Sequence, residues 1–145
     1  MKNSKSKIIS EIAGHLDCGE NCYYNSTADE LITIPQSLEI YEDEDFMEFF
    51  QECINKVNNH KADYIKIKVL ESFESFKIME RFVDNISKQT FKNRLTEILQ
   101  QKKPFRNFKD NVENSEYREA WFEFKKEETE KIVEEILKIE ENGNY

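Results

Sequence analysis

His15, Cys18 and Cys22 place an imidazole and two thiols within eight residues, and Cys53 or His60 could supply a fourth donor. Zinc takes such a set tetrahedrally, and a metal held there would tie a helix end to the segment that follows. A strong zinc signature has two paired runs of ligands, however, and the second pair is missing. His15 and Cys18 also fall at a helix end, where capping or packing suffices to explain them. Cys22 and Cys53 read as small core hydrophobes, so neither a metal nor another cofactor is expected. The same thiols beside His15 could in principle form a nucleophile and its base. Such chemistry also needs donors for a developing oxyanion, and three glycines in 145 residues leave no glycine-rich loop to offer them. Acidic pairs such as Glu42 with Asp45 lack the burial that would separate their pKa values into an acid and a base. No catalytic residue is assigned, and the sequence argues against an enzyme.

The basic segment is more informative. Lys102, Lys103, Arg106 and Lys109 lie beside Phe105 and Phe108, an aromatic-interleaved run of the kind that can track a phosphate backbone while stacking bases. The plainer reading is an amphipathic helix, with both Phe residues inward at i and i+3 and the cations outward. A formal net charge of −9 also opposes binding to a polyanion unless the patch stands well apart from the acids.

That charge is unevenly placed. Residues 8–55 hold 12 acidic side chains and no Lys or Arg, whereas residues 88–109 hold Lys88, Lys92, Arg94, Lys102, Lys103, Arg106 and Lys109 against Glu97 alone. The two segments either face each other as counter-charges or present separate surfaces to partners. The acidic stretch would suit a basic protein surface, or imitate nucleic acid before a protein that binds it. Three glycines and two prolines exclude a phosphate-cradling loop, a dinucleotide fingerprint and a Pro/Gly-rich linker. Leu, Ile, Val and Phe make up about a quarter of the chain, enough for a core. The length fits one domain over residues 1–145. An N-terminus running from Met1 to Lys7 into the mixed segment Ile8–Leu16, and no apolar run of membrane-spanning length, predict a cytoplasmic protein with reduced thiols and no membrane partner.

The elements that must position these groups follow from periodicity. Ile8, Ile9, Ile12, Ala13 and Leu16 predict a first helix of about 11 residues, capped by Ser4 or Ser6 and ending near Asp17, with Gly19 beyond. Cys22–Asn25 and Glu30–Ile34 flank a turn and read as a hairpin closed by Pro35. After a loop to Tyr41, Phe46, Phe49, Phe50, Cys53, Ile54 and Val57 form one face of a helix from about Asp43 to Asn59, its first turn Glu42–Asp45 suiting the positive end of the dipole. Ile65, Ile67 and Val69 alternate with Lys66 and Lys68 and predict a third strand. Helical stripes then run through Phe73–Ile86 and, capped by Ser87, through Phe91–Leu99. A helix begins at Pro104, and a last one follows Ser115, although Trp121–Phe124 also alternates as a strand would.

Four stretches taken together resemble a bacterial family known as uncharacterised protein family 0158. They are Ile12–Asn25, Glu71–Val83, Lys103–Asp110 (Lys-Pro-Phe-Arg-Asn-Phe-Lys-Asp) and Trp121–Lys125. The likeness spans nearly the whole chain, and its most specific element is the Pro-Phe-Arg-x-Phe-Lys-Asp block followed by Trp-Phe-x-Phe. It implies no activity, and Cys18 and Cys22 lie outside the family's general pattern. It does direct attention to Arg106, Lys109 and Asp110, polar positions that packing explains less well than Phe105 and Phe108. Arg106 and Asp110 could form an i, i+4 ion pair worth a few tenths of a kcal/mol, or the guanidinium could serve a partner's carboxylate or phosphate.

The expected fold is α+β and mostly helical, five or six helices on a small three-stranded antiparallel sheet (about 22–25, 30–34 and 64–69). The expected function is a non-enzymatic interaction or regulatory protein that binds a protein partner through its charged faces, with Lys102, Lys103, Arg106, Lys109 and Asp110 as the binding surface. Nucleic-acid binding through residues 88–109, and a metal-dependent enzyme or zinc-stabilised domain, are the alternatives.

Overall fold

The computed structural model describes residues 4–37 and 44–142. Among them are six α-helices, a short 3₁₀ turn and three strands: α1 Ser4–Asp17, β1 Glu20–Asn25, β2 Glu30–Pro35, α2 Glu44–Asn59, the 3₁₀ turn Lys61–Asp63, β3 Ile65–Ile67, α3 Ser72–Asp84, α4 Gln89–Leu99, α5 Pro104–Glu113 and α6 Arg118–Asn142. The α+β, mostly helical expectation holds. The third strand is shorter than its alternating pattern, and the expected positions Glu42, Asp43 and Tyr41 lie outside the described residues. By its internal contacts the chain divides into two compact units, residues 1–69 with 130–145, and residues 70–129.

The first unit is built on the sheet, whose order is β2-β1-β3 with both pairings antiparallel. Because strand side chains alternate between faces, Cys22, Tyr24, Leu31, Ile65 and Ile67 share one face. They pack with Ile8, Ile9, Ile12, Ala13 and Leu16 of α1 and with Val133, Ile136 and Leu137 of α6. The apolar spacing in α1 thus reports a buried stripe. Gly19 ends the helix with φ +83, a conformation that a side chain would oppose. Asp29 takes the corresponding left-handed position in the hairpin (φ 51), where the Tyr24 hydroxyl donates to its Oδ1 at 2.9 Å.

The opposite face of the sheet carries Tyr23, Ile34 and Lys66, and α2 contacts β2. Here periodicity and burial part company. Val57 is buried, but Phe46 and Phe49, assigned by spacing to the core face, are 54% and 57% exposed. Phe50 stacks with Phe46 at 6.4 Å between centroids and lies edge-on to Phe49 at 5.6 Å. Glu44 and Asp45 occupy the first turn of α2 as the dipole argument requires.

The second unit is helical and has an aromatic centre. Phe82 of α3, Phe108 of α5 and Trp121 of α6 meet edge-on with centroids 5.0–6.5 Å apart, and Phe124 completes the cluster 5.5 Å from Phe82. Such edge contacts place the positive rim of one ring against the negative face of another. Ile78, Met79, Val83, Leu95, Ile98, Leu99 and Val112 are buried as well. Trp121–Phe124 is helical, so its alternation carries no strand. Helix starts were less legible. At α3 the Glu74 carboxylate accepts from the Glu71 N–H at 3.2 Å. The residue before α4 is Lys88 rather than Ser87. Ser115 organises the turn ahead of α6, its hydroxyl accepting from the Tyr117 N–H at 3.1 Å and donating to the Val112 carbonyl at 2.7 Å.

Candidate functional site

The three donors of the His15–Cys22 run go to three environments. Cys22 is buried with its Sγ 3.9 Å from the Ile12 carbonyl, and burial, aided by Glu20, pushes its thiol up to about 12. Near neutral pH it is therefore a protonated core thiol and a poor nucleophile. Cys18 is exposed, and His15 Nδ1 meets Glu20 Oε1 at 3.1 Å. Burial also raises the Cys53 thiol, with Glu52 adding to the effect. Among the described residues no group of three or more His, Cys, Asp or Glu stands together as a metal cage would require.

Arg94 of the basic segment is exposed on α4, and its other six cations divide in two. Lys88 is paired with Glu116, and Lys92 Nζ donates to the Asp84 carbonyl at 3.3 Å; both serve the fold. Lys102, Lys103, Arg106 and Lys109 are exposed, and among the described residues their side chains have no carboxylate or carbonyl partner. Asp110 is exposed as well. It forms no ion pair with Arg106, so the intrahelical bridge suggested by their spacing is not made.

Local structure explains why these cations stand where they do. Pro104 opens α5 at a position where its missing N–H costs nothing. Lys103 before it adopts φ 55, ψ 51, a left-handed conformation that costs a non-glycine residue roughly 1–2 kcal/mol. Asn107 holds this turn from inside the helix. Its Nδ2 donates to the Lys102 carbonyl at 3.2 Å, and its backbone N–H donates to that of Lys103, also at 3.2 Å. Phe108 and Val112 bury the inner side of α5. Phe105 does not follow them: it is 41% exposed, leaning edge-on against Phe76 of α3 with centroids 6.3 Å apart. The expectation that both Phe residues point inward is therefore met by Phe108 and corrected at Phe105. The outcome is a half-exposed ring beside four free cations.

Lys103–Asp110, Trp121–Lys125 and Glu71–Val83, three of the four stretches that carry the resemblance, build this face and the aromatic centre. The profile of Uncharacterised protein family (UPF0158) matches residues 6–142. The chain belongs to that family. No curated protein and no solved structure matches it significantly. In this member of UPF0158, the Pro-Phe-Arg-x-Phe-Lys-Asp block has a double use. Pro104 and Phe108 shape and anchor α5, whereas Phe105, Arg106, Lys109 and Asp110 are presented outward.

Two features escaped the sequence reading. One is the exposed row Phe46, Met47 and Phe49 on α2 beside Glu44, Glu48 and Glu52, since a helical stripe does not say what covers it. The other is a hollow on the second face of the sheet, near a carboxylate with two partners. Glu30 Oε2 accepts from Lys56 Nζ at 2.7 Å and Glu30 Oε1 from the Tyr64 hydroxyl. Strand alternation of Tyr23, Ile34 and Lys66 was the available signal.

Proposed function

We propose that the protein is a non-enzymatic cytoplasmic interaction protein that binds an acidic, partly apolar surface of a protein partner through Lys102, Lys103, Arg106, Lys109 and Phe105. The observation that carries this reading is the combination of four exposed side-chain cations without a counter-charge among the described residues and an aromatic ring left 41% exposed in their midst. Desolvated Arg and aromatic side chains supply most of the energy in protein interfaces, and surrounding charges set approach and register. Asp110 at the edge favours a partner of mixed charge over a uniform polyanion. The acid-flanked aromatic row of α2 offers a second face, suited by its charge to a basic surface. A pull-down at physiological salt tests the proposal. The wild type retains a discrete protein partner and the triple variant Lys102→Glu, Lys103→Glu, Arg106→Glu loses it; failure to retain any partner, or equal retention by the variant, overturns the reading.

The exposure of Phe105 also favours a second reading, stacking of a nucleic-acid base beside a phosphate-tracking cation row. Four phosphate contacts would give duplex binding a log–log salt slope of about −3 to −4. A gel-shift series without salt-dependent affinity for single- or double-stranded DNA or RNA excludes it.

A further inference from the structure

The sheet's second face and α2 enclose a hollow of about 360 Å³ within the first unit, lined by Tyr23, Ile34, Ile54, Val57, Asn58, Lys61, Tyr64 and Lys66. Its size lies at the lower end of small-molecule sites, and its make-up is theirs too: an apolar floor with a few convergent polar groups. Ile34 and Val57 are buried and form that floor with Ile54.

The charged side chains of its described lining are of one sign. Among the described residues no lining residue is acidic, and two are lysines. Glu30, hydrogen-bonded to the lining residue Tyr64, is already committed to it and to Lys56, and Asp63, which also acts on Tyr64, lies 3.9 Å from His60 Nδ1. Lys61 and Lys66 have no carboxylate partner among the described residues, and Lys66 instead lies over the Tyr23 ring with its Nζ 5.7 Å from the centroid. That contact places the ammonium against another residue of the lining by a cation–π attraction. Two unmatched cations over an apolar floor are unexpected beside α2 and β2, whose own segment carries acids and no Lys or Arg before residue 56.

We infer that this hollow is a binding site for a small carboxylate with an aromatic or comparable apolar body, the carboxylate between Lys61 and Lys66 and the body on Ile34, Ile54 and Val57. A phosphate group fits less well. The lining has neither an arginine fork nor a helix N-terminus or glycine run to supply backbone donors, whereas two lysine point charges suffice for a single negative charge. Tyr23 and Asn58 offer further hydrogen-bonding groups beside the apolar floor.

The test is a ¹⁹F NMR titration of the full chain with 4-fluorophenylacetate, and with 4-fluorophenethylamine and inorganic phosphate as comparison probes. Saturable broadening of the carboxylate resonance is expected, with a dissociation constant of about 1 mM or below. Lys66→Met weakens it roughly tenfold, the Lys61→Met, Lys66→Met double variant further, and the pocket-filling Ile54→Trp abolishes it. Both lysines are exposed, so their variants keep the wild-type fold by circular dichroism and the result does not depend on Ile54→Trp folding. Absence of saturable binding, amine binding as tight as carboxylate binding, phosphate displacing the carboxylate at equal concentration, or unchanged affinity in the double variant each overturns the inference.

Discussion

Arg106 and Asp110 stand one helical turn apart on α5, both exposed, and form no ion pair with each other. Spacing of this kind permits a bridge, and an exposed bridge is worth so little that a free guanidinium costs the fold almost nothing. Arg106→Ala and Asp110→Ala are therefore expected to stay within about 0.5 kcal/mol of wild type in urea unfolding, while Arg106→Ala weakens retention of the partner in the pull-down. A loss above 1 kcal/mol in either variant would assign the pair to stability.

Phe105 and Phe108 make a sharper contrast, three residues apart on one helix. Phe108 is 1% exposed and meets both Phe82 and Trp121. Truncation to Ala leaves a void at the aromatic centre and is expected to cost about 3–5 kcal/mol. Phe105→Ala loses one edge contact with Phe76 and part of its burial, about 1 kcal/mol or less. Urea midpoints of the two variants check the ranking, and equal losses would place Phe105 in the core.

Glu30 links the hairpin to α2 and to Tyr64. Hydrogen bonds from Lys56 and then from Tyr64 hold its carboxyl below the ordinary 4.5, and the Glu30 bond raises Lys56 above 10.5. A depressed carboxyl contributes stability above its unfolded pKa and loses it as pH falls through the folded value; a raised ammonium contributes below 10.5 and loses it as pH rises through the folded value. The stability advantage of wild type over Glu30→Gln is thus expected to be full between about pH 5 and 10 and to fade progressively as pH falls from 4.5 through the lower folded value. Denaturant unfolding of both proteins across pH 2–11 measures it, and a difference that persists at pH 2 contradicts the assignment.

Thiol reactivity separates the three cysteines. Cys18 is exposed, Cys53 half-buried with its thiol raised by burial, and Cys22 buried with its thiol pushed up to about 12. Native protein at pH 8 is expected to alkylate first at Cys18, then at Cys53, and at Cys22 only after unfolding, as peptide mass spectrometry would show. Early labelling of Cys22 would mean that the contact between α1 and β1 opens readily.

What could be read from the sequence depended on which physical quantity a residue pattern encodes. The spacing of Ile8, Ile9, Ile12, Ala13 and Leu16 encodes a stripe, and α1 buries that stripe. The same spacing in Phe46, Phe49 and Val57 encodes only amphipathicity, so burial had to come from what lies opposite, and only Val57 is covered. Ser87 has the right chemistry for a cap but the helix begins one residue too late for it. The basic run was visible as composition. Its division into internally bonded Lys88 and Lys92 and free Lys102, Lys103, Arg106 and Lys109 depends on Glu116 and on the Asp84 carbonyl, groups that sequence distance hides.

The most direct measurement replaces Phe105 with p-benzoylphenylalanine and cross-links in living cells, with the same probe at Ile139, another exposed apolar position (62%), as reference. A discrete protein adduct is expected from position 105 and not from 139, and it disappears when Lys102, Lys103 and Arg106 are reversed to Glu. No adduct at 105, adducts to nucleic acid alone, or an adduct indifferent to charge reversal would contradict a protein-binding role for this face.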